Sequence, residues 1–219
     1  MNKLIKAAEE IRYLINRGHP KDSVIRFISD HYCLPKDQRL VLTRTVIESS
    51  IACLRMAKAL PIEALRGKIV YVDGYNVLIT LESLLEDYPV YMCDDGFLRD
   101  TRGIHSCYKC SEFTVPAIVE MVGLLASPDP SRIEILFDQQ ISRSGELARL
   151  TRSIMADKSL PGDARTARNV DYLLKTAKFT VATSDGNVID AAPYVVDLPR
   201  HLATRKKINV LSIGGRFAG

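Results

Sequence analysis

The chain has 219 residues, 47% of them hydrophobic and 26% charged, a composition that excludes a disordered chain and gives enough apolar side chains for one large domain or two small ones. No window offers the ~18 uncharged apolar residues of a membrane helix, because the best one, 113–126, is broken by Glu120. The net charge of +4 is uneven: 12 Lys+Arg stand against 7 Asp+Glu in residues 1–66, 4 against 10 in 67–130, and 14 against 9 in 131–219. Basic ends around an acidic middle suggest polyanion-binding surfaces flanking a cation-binding centre, although solvated helix faces would give the same tally.

In chain order, residues 2–17 set Leu4, Ala8, Ile11 and Ile15 at helical spacing, and Gly18 with Pro20 stops that helix. Lys3, Lys6, Glu9 and Glu10 lie within the pattern, which is unlike a signal peptide. Five cysteines, an odd number, fit thiols of a reducing compartment, so a cytoplasmic protein is expected. A second helix is predicted from Pro20 to Tyr32 with Val24, Phe27 and Ile28 inward. A third is predicted from Lys36 to about Ala59 with Leu40, Ile47, Ile51 and Leu54 on one face. The change from helical to strand-like patterning at Pro61–Gly67 divides a basic three-helix domain, 1–66, from an α/β domain, 67–219. A helix-turn-helix reading of the Gly18 turn carries little weight, since no base-reading pattern accompanies it.

The second domain opens on Lys68-Ile-Val-Tyr-Val-Asp-Gly-Tyr-Asn76, a buried strand that ends in Asp73. An Asp there invites a functional explanation, though it would equally cap a helix starting near Tyr75. A helix over 77–85 follows, then a strand at Pro89–Cys93 ending in Asp94-Asp95-Gly96, and a loop from Gly96 to Thr114. Thr114–Ala126 reads as an apolar helix, Ser131–Asp138 as a strand, Ser142–Lys158 as a helix, 164–177 as a helix bearing Asp171, and Lys178–Thr183 as a strand ending in Ser184-Asp185. Edge strands are predicted at Tyr194–Leu198 and Ile208–Ser212. The alternation implies an α/β fold whose mainly parallel sheet is covered on both faces, a three-layer α/β/α arrangement.

Asp73, Asp138 and Asp185 each follow a strand, so in a parallel sheet they share one edge. Converging carboxylates repel and need protons, cationic partners or a metal, and an oxygen-rich set suits Mg²⁺ or Mn²⁺. Such a site activates water and steadies a phosphodiester under attack.

Val72-Asp-Gly-Tyr-Asn76, Ile135-Leu-Phe-Asp138, Asn169-Val-Asp171 and Val181-Ala-Thr-Ser-Asp-Gly-Asn-Val-Ile-Asp190 resemble, in this order, the motifs of PIN-like nucleases, especially the NYN branch. The resemblance covers roughly residues 67–190. It implies that Asp73, Asp171 and Asp185 hold the metal, that Asp138 is a further acid, and that Asn76 and Ser184 support them. For the additional helix acid common in that family, Glu82, Asp95 and Asp100 compete. The whole chain also resembles an uncharacterised microbial family of unknown function (DUF434-like) with a helical N-terminal part. The expected activity is metal-dependent (endo)ribonuclease chemistry on RNA, with DNA as the other substrate and a homo-oligomer compatible with it. Arg143, Arg149, Arg152, Arg165 and Arg168 would grip phosphates. The alternative is a module of the same fold that binds RNA without cleaving it. An aspartate-nucleophile phosphatase is disfavoured because Tyr75 stands where a second Asp is needed.

Cys93, His105, Cys107 and Cys110 have the residue types of a zinc site, but a single Cys-x-x-Cys is weak support, and ordinary thiols are the preferred reading. Tyr71, Tyr75 and Tyr172 could stack bases, although tyrosine beside an apolar strand is more often packing.

Overall fold

The apolar run before Asp73 is the central strand of a five-stranded, wholly parallel sheet in a computed structural model that describes residues 3–214. The first two positions of the expected 1–66 domain and the last five of the expected 67–219 domain lie outside the described residues. Backbone packing divides the chain into two units. The first takes the residues up to Ala57, Pro89–Gly103 and the chain from Asn209; the second takes Lys58–Tyr88 and Ile104–Ile208. No helix of the described residues is long and apolar enough to cross a membrane.

The first unit holds four helices, α1 (Lys3–Ile15), α2 (Lys21–His31), α3 (Lys36–Thr45) and α4 (Ser49–Met56). Its core is built from Leu4, Ala8, Ile11, Val24, Ile28 and Leu42, among others. Phe27, expected inward, is 67% exposed, and Ile25 takes its place. The third expected helix is two helices, broken at Val46, whose backbone turns extended (φ −86°, ψ 122°). Three successive β-branched residues, Thr45, Val46 and Ile47, weaken the helix there. The Asp94 carboxylate accepts the freed Ile47 N–H at 3.1 Å, and the Asp94 N–H donates to the Thr45 carbonyl at 3.0 Å. Arg12 holds that carboxylate through two bonds of 2.9 Å. An antiparallel hairpin, β2 (Val90–Met92) with β3 (Leu98–Asp100), completes the unit, so part of the expected 96–114 loop is a strand. The edge strand expected at 208–212 is reduced to a bridge between Leu211 and Tyr91.

In the second unit β1 (Ile69–Asp73) lies between β4 (Arg132–Asp138) and β6 (Thr180–Ala182), with β5 (Gly162–Ala167) and β7 (Tyr194–Val196) at the edges. The helices are α5 (Gly74–Leu85), α6 (Thr114–Ala126), α7 (Ser144–Asp157), α8 (Val170–Thr176), α9 (Gly186–Ala191) and α10 (Leu198–Lys206). α5 packs on α6 and α6 on α7, while α8 packs on α9; crossovers of the usual right hand put the two sets on opposite faces, giving three layers. Val70, Val72, Ile133, Ile135 and Phe137 are fully buried.

Residues 164–167, expected to start a helix, are strand: β5 pairs with β4 over six residues, from Gly162 opposite Ile133 to Ala167 opposite Asp138. Gly162 makes that approach feasible. Its φ is +135°, and a Cβ built there would lie 1.8 Å from the Ile133 carbonyl oxygen. Gly162→Ala is therefore expected to cost about 1–3 kcal/mol, read by denaturant unfolding; an unchanged midpoint would contradict this reading of the edge.

Candidate active site at the carboxyl edge of the sheet

The sheet order reverses direction at β1. From it the chain builds outward to β4 and β5 on one side, then returns to β6 and β7 on the other. The crevice outside the carboxyl ends of β1 and β6 is therefore the switch point where open α/β sheets bind ligands. Asp73 sits at its base, 6% exposed.

Three local features fix the Asp73 carboxyl. It caps α5 by accepting the Asn76 N–H at 3.4 Å. Its other oxygen accepts the Thr183 hydroxyl at 3.0 Å. Gly74 lets the helix begin at once, since a Cβ there would stand 2.6 Å from the Phe137 ring and 2.7 Å from the Leu136 carbonyl oxygen. Asn76 turns its side-chain oxygen to the loop after β6, accepting the Ser184 N–H at 2.8 Å and the Ser184 hydroxyl at 3.0 Å. This pins β6 to α5. Asp185 then caps α9, accepting the Asn187 and Val188 N–H groups at 2.8 and 3.1 Å, while its own N–H donates to Thr183 Oγ1 at 3.1 Å.

Asp73 and Asp185 thus both have a structural role as helix caps. What capping does not explain is the electrostatics of Asp73. Burial pushes its carboxyl up to about 7; the Thr183 hydroxyl opposes this, and the charges of Asp185 and Asp171 add to it. Asp171, exposed in the first turn of α8, and half-buried Asp185 therefore share the field of Asp73. Asp138, half-buried at the end of β4, accepts the Gln140 N–H at 2.9 Å, and its charge reaches the Tyr75 hydroxyl.

Asp95 and Asp100 belong to the first unit, where arginines hold them. Asp95 is fully buried between Arg99 and Arg55; Asp100 lies 3.8 Å from Arg44 and accepts the Arg102 N–H at 2.9 Å. Glu82 is buried under Tyr108 and Thr114, accepting both hydroxyls. Among the five arginines, Arg143 pairs with Glu146, Arg152 lies 3.6 Å from Asp163, and Arg165 lies 3.6 Å from Glu134. Arg149 and Arg168 are exposed.

Cys93 is buried in the first unit, its thiol pushed up to about 11 chiefly by burial, while His105, Cys107 and Cys110 are exposed in the second. Tyr75 is packed, with ring centroids 5.2 Å from Phe137 and 5.1 Å from Tyr108; the His105 ring lies 5.9 Å away. Tyr71 stacks on Phe179 at 5.8 Å, and Tyr172 is 66% exposed. Thr183 is the site residue that the sequence reading passes over. Its signal was its place in Val181-Ala-Thr-Ser-Asp185, two residues before the acid.

The donor chemistry of Asp73, Asp171 and Asp185 suits a hard divalent cation. Their placement is looser: among the described residues, no three His, Cys, Asp or Glu side chains stand as a group that could hold a metal ion.

Two family models match the chain. One, described as a protein of unknown function (DUF434), matches residues 3–58, and the other, a domain of unknown function (DUF5616), matches residues 62–201. An uncharacterised protein of Methanocaldococcus jannaschii is 38% identical over 195 residues, covering 88% of this chain and 93% of its own length. No solved structure matches. The chain therefore belongs to the DUF5616 family, with a DUF434 segment forming its helical beginning.

Proposed function

We propose that the second unit hydrolyses phosphodiester bonds of RNA at the carboxyl edge of its sheet, in the manner of the PIN-like nucleases of the NYN branch that its motifs resemble. The observation that carries this reading is Asp73. It is a buried carboxyl at a switch point, pushed up to about 7 by burial and by two further acids, so that it exchanges its proton near neutral pH. A site of this kind favours either a proton or a hard cation. Mg²⁺ or Mn²⁺ bound by Asp73, Asp171 and Asp185 would supply an activated water and charge neutralisation at phosphate. Thr183 and the Asn76 N–H orient Asp73, and Asn76 with Ser184 fixes the loop that presents Asp185. Asp138 would ligate the cation or orient the water. Arg149 and Arg168 offer cations to the phosphate backbone, with Arg143, Arg152 and Arg165 already engaged by acids. Five free cysteines accord with a cytoplasmic setting, where RNA is the abundant substrate.

A second reading has its own observation. The absence of a ready group of metal ligands among the described residues favours an RNA-binding module that keeps the fold and does not cleave.

One assay separates the two: single-stranded RNA, with DNA in parallel, incubated with Mn²⁺, Mg²⁺ or EDTA. The expected result is cleavage that EDTA stops and that Asp73→Asn and Asp185→Asn each lower by roughly 10–100-fold, as loss of a group that holds or orients a metal ligand does. Cleavage that survives both substitutions would sink the site assignment. Salt-sensitive RNA binding without cleavage under any metal would establish the second reading.

A further inference from the structure

One face of the sheet in the second unit is left partly open. The Phe137 ring packs on Tyr75 of α5, so the alternate residues of β4, Arg132 and Glu134, point to the opposite face, together with Tyr71, which stands beside Glu134 in the register. The helices on that face, α8 and α9, have seven and six residues, and so reach only about 10 Å. They leave Tyr71 half-buried, Phe179 42% exposed, and the side chains of Arg132 and Arg165 open to solvent.

Two features of this patch are ordered. The rings of Tyr71 and Phe179 lie parallel, with centroids 5.8 Å apart and planes 8° from each other. Beside them Glu134, itself buried, holds two arginines at once: Arg132 Nε donates to it at 2.7 Å, and Arg165 Nε lies 3.6 Å away. Both contacts use Nε, so the terminal amino groups of the two guanidinium forks make no hydrogen bond among the described residues. The charges leave a surplus. Asp163, beside Glu134 in the register, lies 3.6 Å from Arg152, so three arginines stand against two carboxylates, and exposed Lys178 adjoins Phe179 in the chain.

We propose that this face binds single-stranded RNA, stacking bases on Tyr71 and Phe179 and holding phosphates with the forks of Arg132 and Arg165. Aromatic faces take any base, and an arginine fork matches two phosphate oxygens at once. A neutral apolar partner would cover the rings and leave the surplus charge unanswered; a single strand meets both. A duplex does not, because its bases are already stacked on one another. Glu134 acts here as a positioning residue. Tyr71 lies two residues before Asp73 on β1, about 7 Å along the strand, which sets the patch beside the carboxyl edge. The inference rests on the reading of this unit as one that meets RNA, but it needs neither metal nor cleavage.

The test is fluorescence anisotropy of a labelled oligouridine titrated with the full chain in EDTA. Binding that weakens with salt is expected, and the corresponding A–U duplex is expected to bind about tenfold or more weaker. Phe179→Ala should weaken the single strand about tenfold, and Phe179→Trp should keep it, because the ring face and not the packing of phenylalanine is what a base uses. Arg165→Gln leaves Arg132 on Glu134 and should reduce the salt slope by about one. Thermal midpoints report whether each variant folds. This pattern in a protein that cleaves nothing with Mn²⁺ would support the inference while removing the nuclease reading. No salt-sensitive binding by the wild type, a duplex bound as tightly as the single strand, or affinity unchanged in both Phe179→Ala and Arg165→Gln would each overturn it. A dimer that Phe179→Ala dissociates, with no RNA bound, would assign the face to a second copy of the chain and overturn it as well.

Discussion

Asp95→Ala is expected to destabilise the first unit by about 3–5 kcal/mol, the cost of leaving a buried guanidinium without its balancing carboxylate. Asp95 is fully buried, and Arg99 is 6% exposed. Two bonds of 2.8 and 2.7 Å join the carboxylate to the Arg99 guanidinium, and a third of 3.0 Å comes from Arg55. Burial alone would push the Asp95 carboxyl up, yet Arg99 and Arg55 outweigh it and hold the group below 3.8. The sign follows. A carboxylate lowered in the folded state contributes stability that is present above pH 3.8 and lost as the pH falls through the folded value. Removing Asp95 should therefore flatten the acid limb of the unfolding curve as well as lower the midpoint. Replacing both partners, Asp95→Leu with Arg99→Met, is expected to recover much of the loss, because the cost lies in a buried guanidinium that has lost its balancing carboxylate and not in the missing attraction. Denaturant unfolding of the three proteins between pH 3 and 7 measures all of this. A single-variant loss below about 1 kcal/mol would mean that water or another group reaches Arg99.

The same acid shows what a sequence does and does not expose. Asp73, Asp95, Asp138 and Asp185 all stand just after an apolar strand, and nothing in the local pattern separates them. Asp95 is taken by an arginine four residues on, across a hairpin whose second strand, Leu98–Asp100, is too short and polar to announce itself. The central strands were legible because burial on both faces selects runs rich in Val, Ile and Leu, interrupted here only by Tyr71 and Glu134 in β1 and β4. The edge strand Gly162–Ala167 was not. It pairs on one side only and reads Gly-Asp-Ala-Arg-Thr-Ala, and its two buried positions, Ala164 and Ala167, stand three residues apart and give no period of two. The break at Val46 was hidden for a different reason. Its β-branched run weakens a helix without ending it, and the carboxylate that stabilises the break comes from Asp94, 47 residues away from Ile47. Thr183 was missed because hydroxyls carry no charge pattern; only its bond to Asp73 across 110 positions reveals it.

Asp73→Asn is expected to make the protein more stable above neutral pH, by at most about 4 kcal/mol at pH 8. In the folded chain the Asp73 carboxyl titrates at about 7, against 3.8 for an unhindered one. Between those two values the folded state holds a proton that the unfolded chain has released, so stability falls as the pH rises from 4 and stops falling once the folded group ionises near 7. Below pH 4 both states are protonated, and the penalty vanishes. Asparagine is isosteric and never ionises. It keeps one oxygen to accept the Asn76 N–H and turns its amide N–H to the Thr183 hydroxyl oxygen, whose proton has the Asn76 side-chain oxygen at 3.3 Å as its acceptor, and it feels no repulsion from Asp171 or Asp185. The pH dependence of unfolding over 4 to 8 should therefore be steeper in the wild type than in the variant. The comparison also bears on function, because a residue that costs stability at working pH is retained for what its charge does. If the charge serves a cation, Mn²⁺ added at pH 8 should raise the wild-type midpoint and leave Asp73→Asn unmoved. A variant that is less stable than wild type at pH 8 would show that Asp73 is a structural cap and nothing more. A variant that is more stable and indifferent to Mn²⁺, beside a wild type equally indifferent, would remove the cation from the account of Asp73 and favour the module that binds RNA without cleaving it.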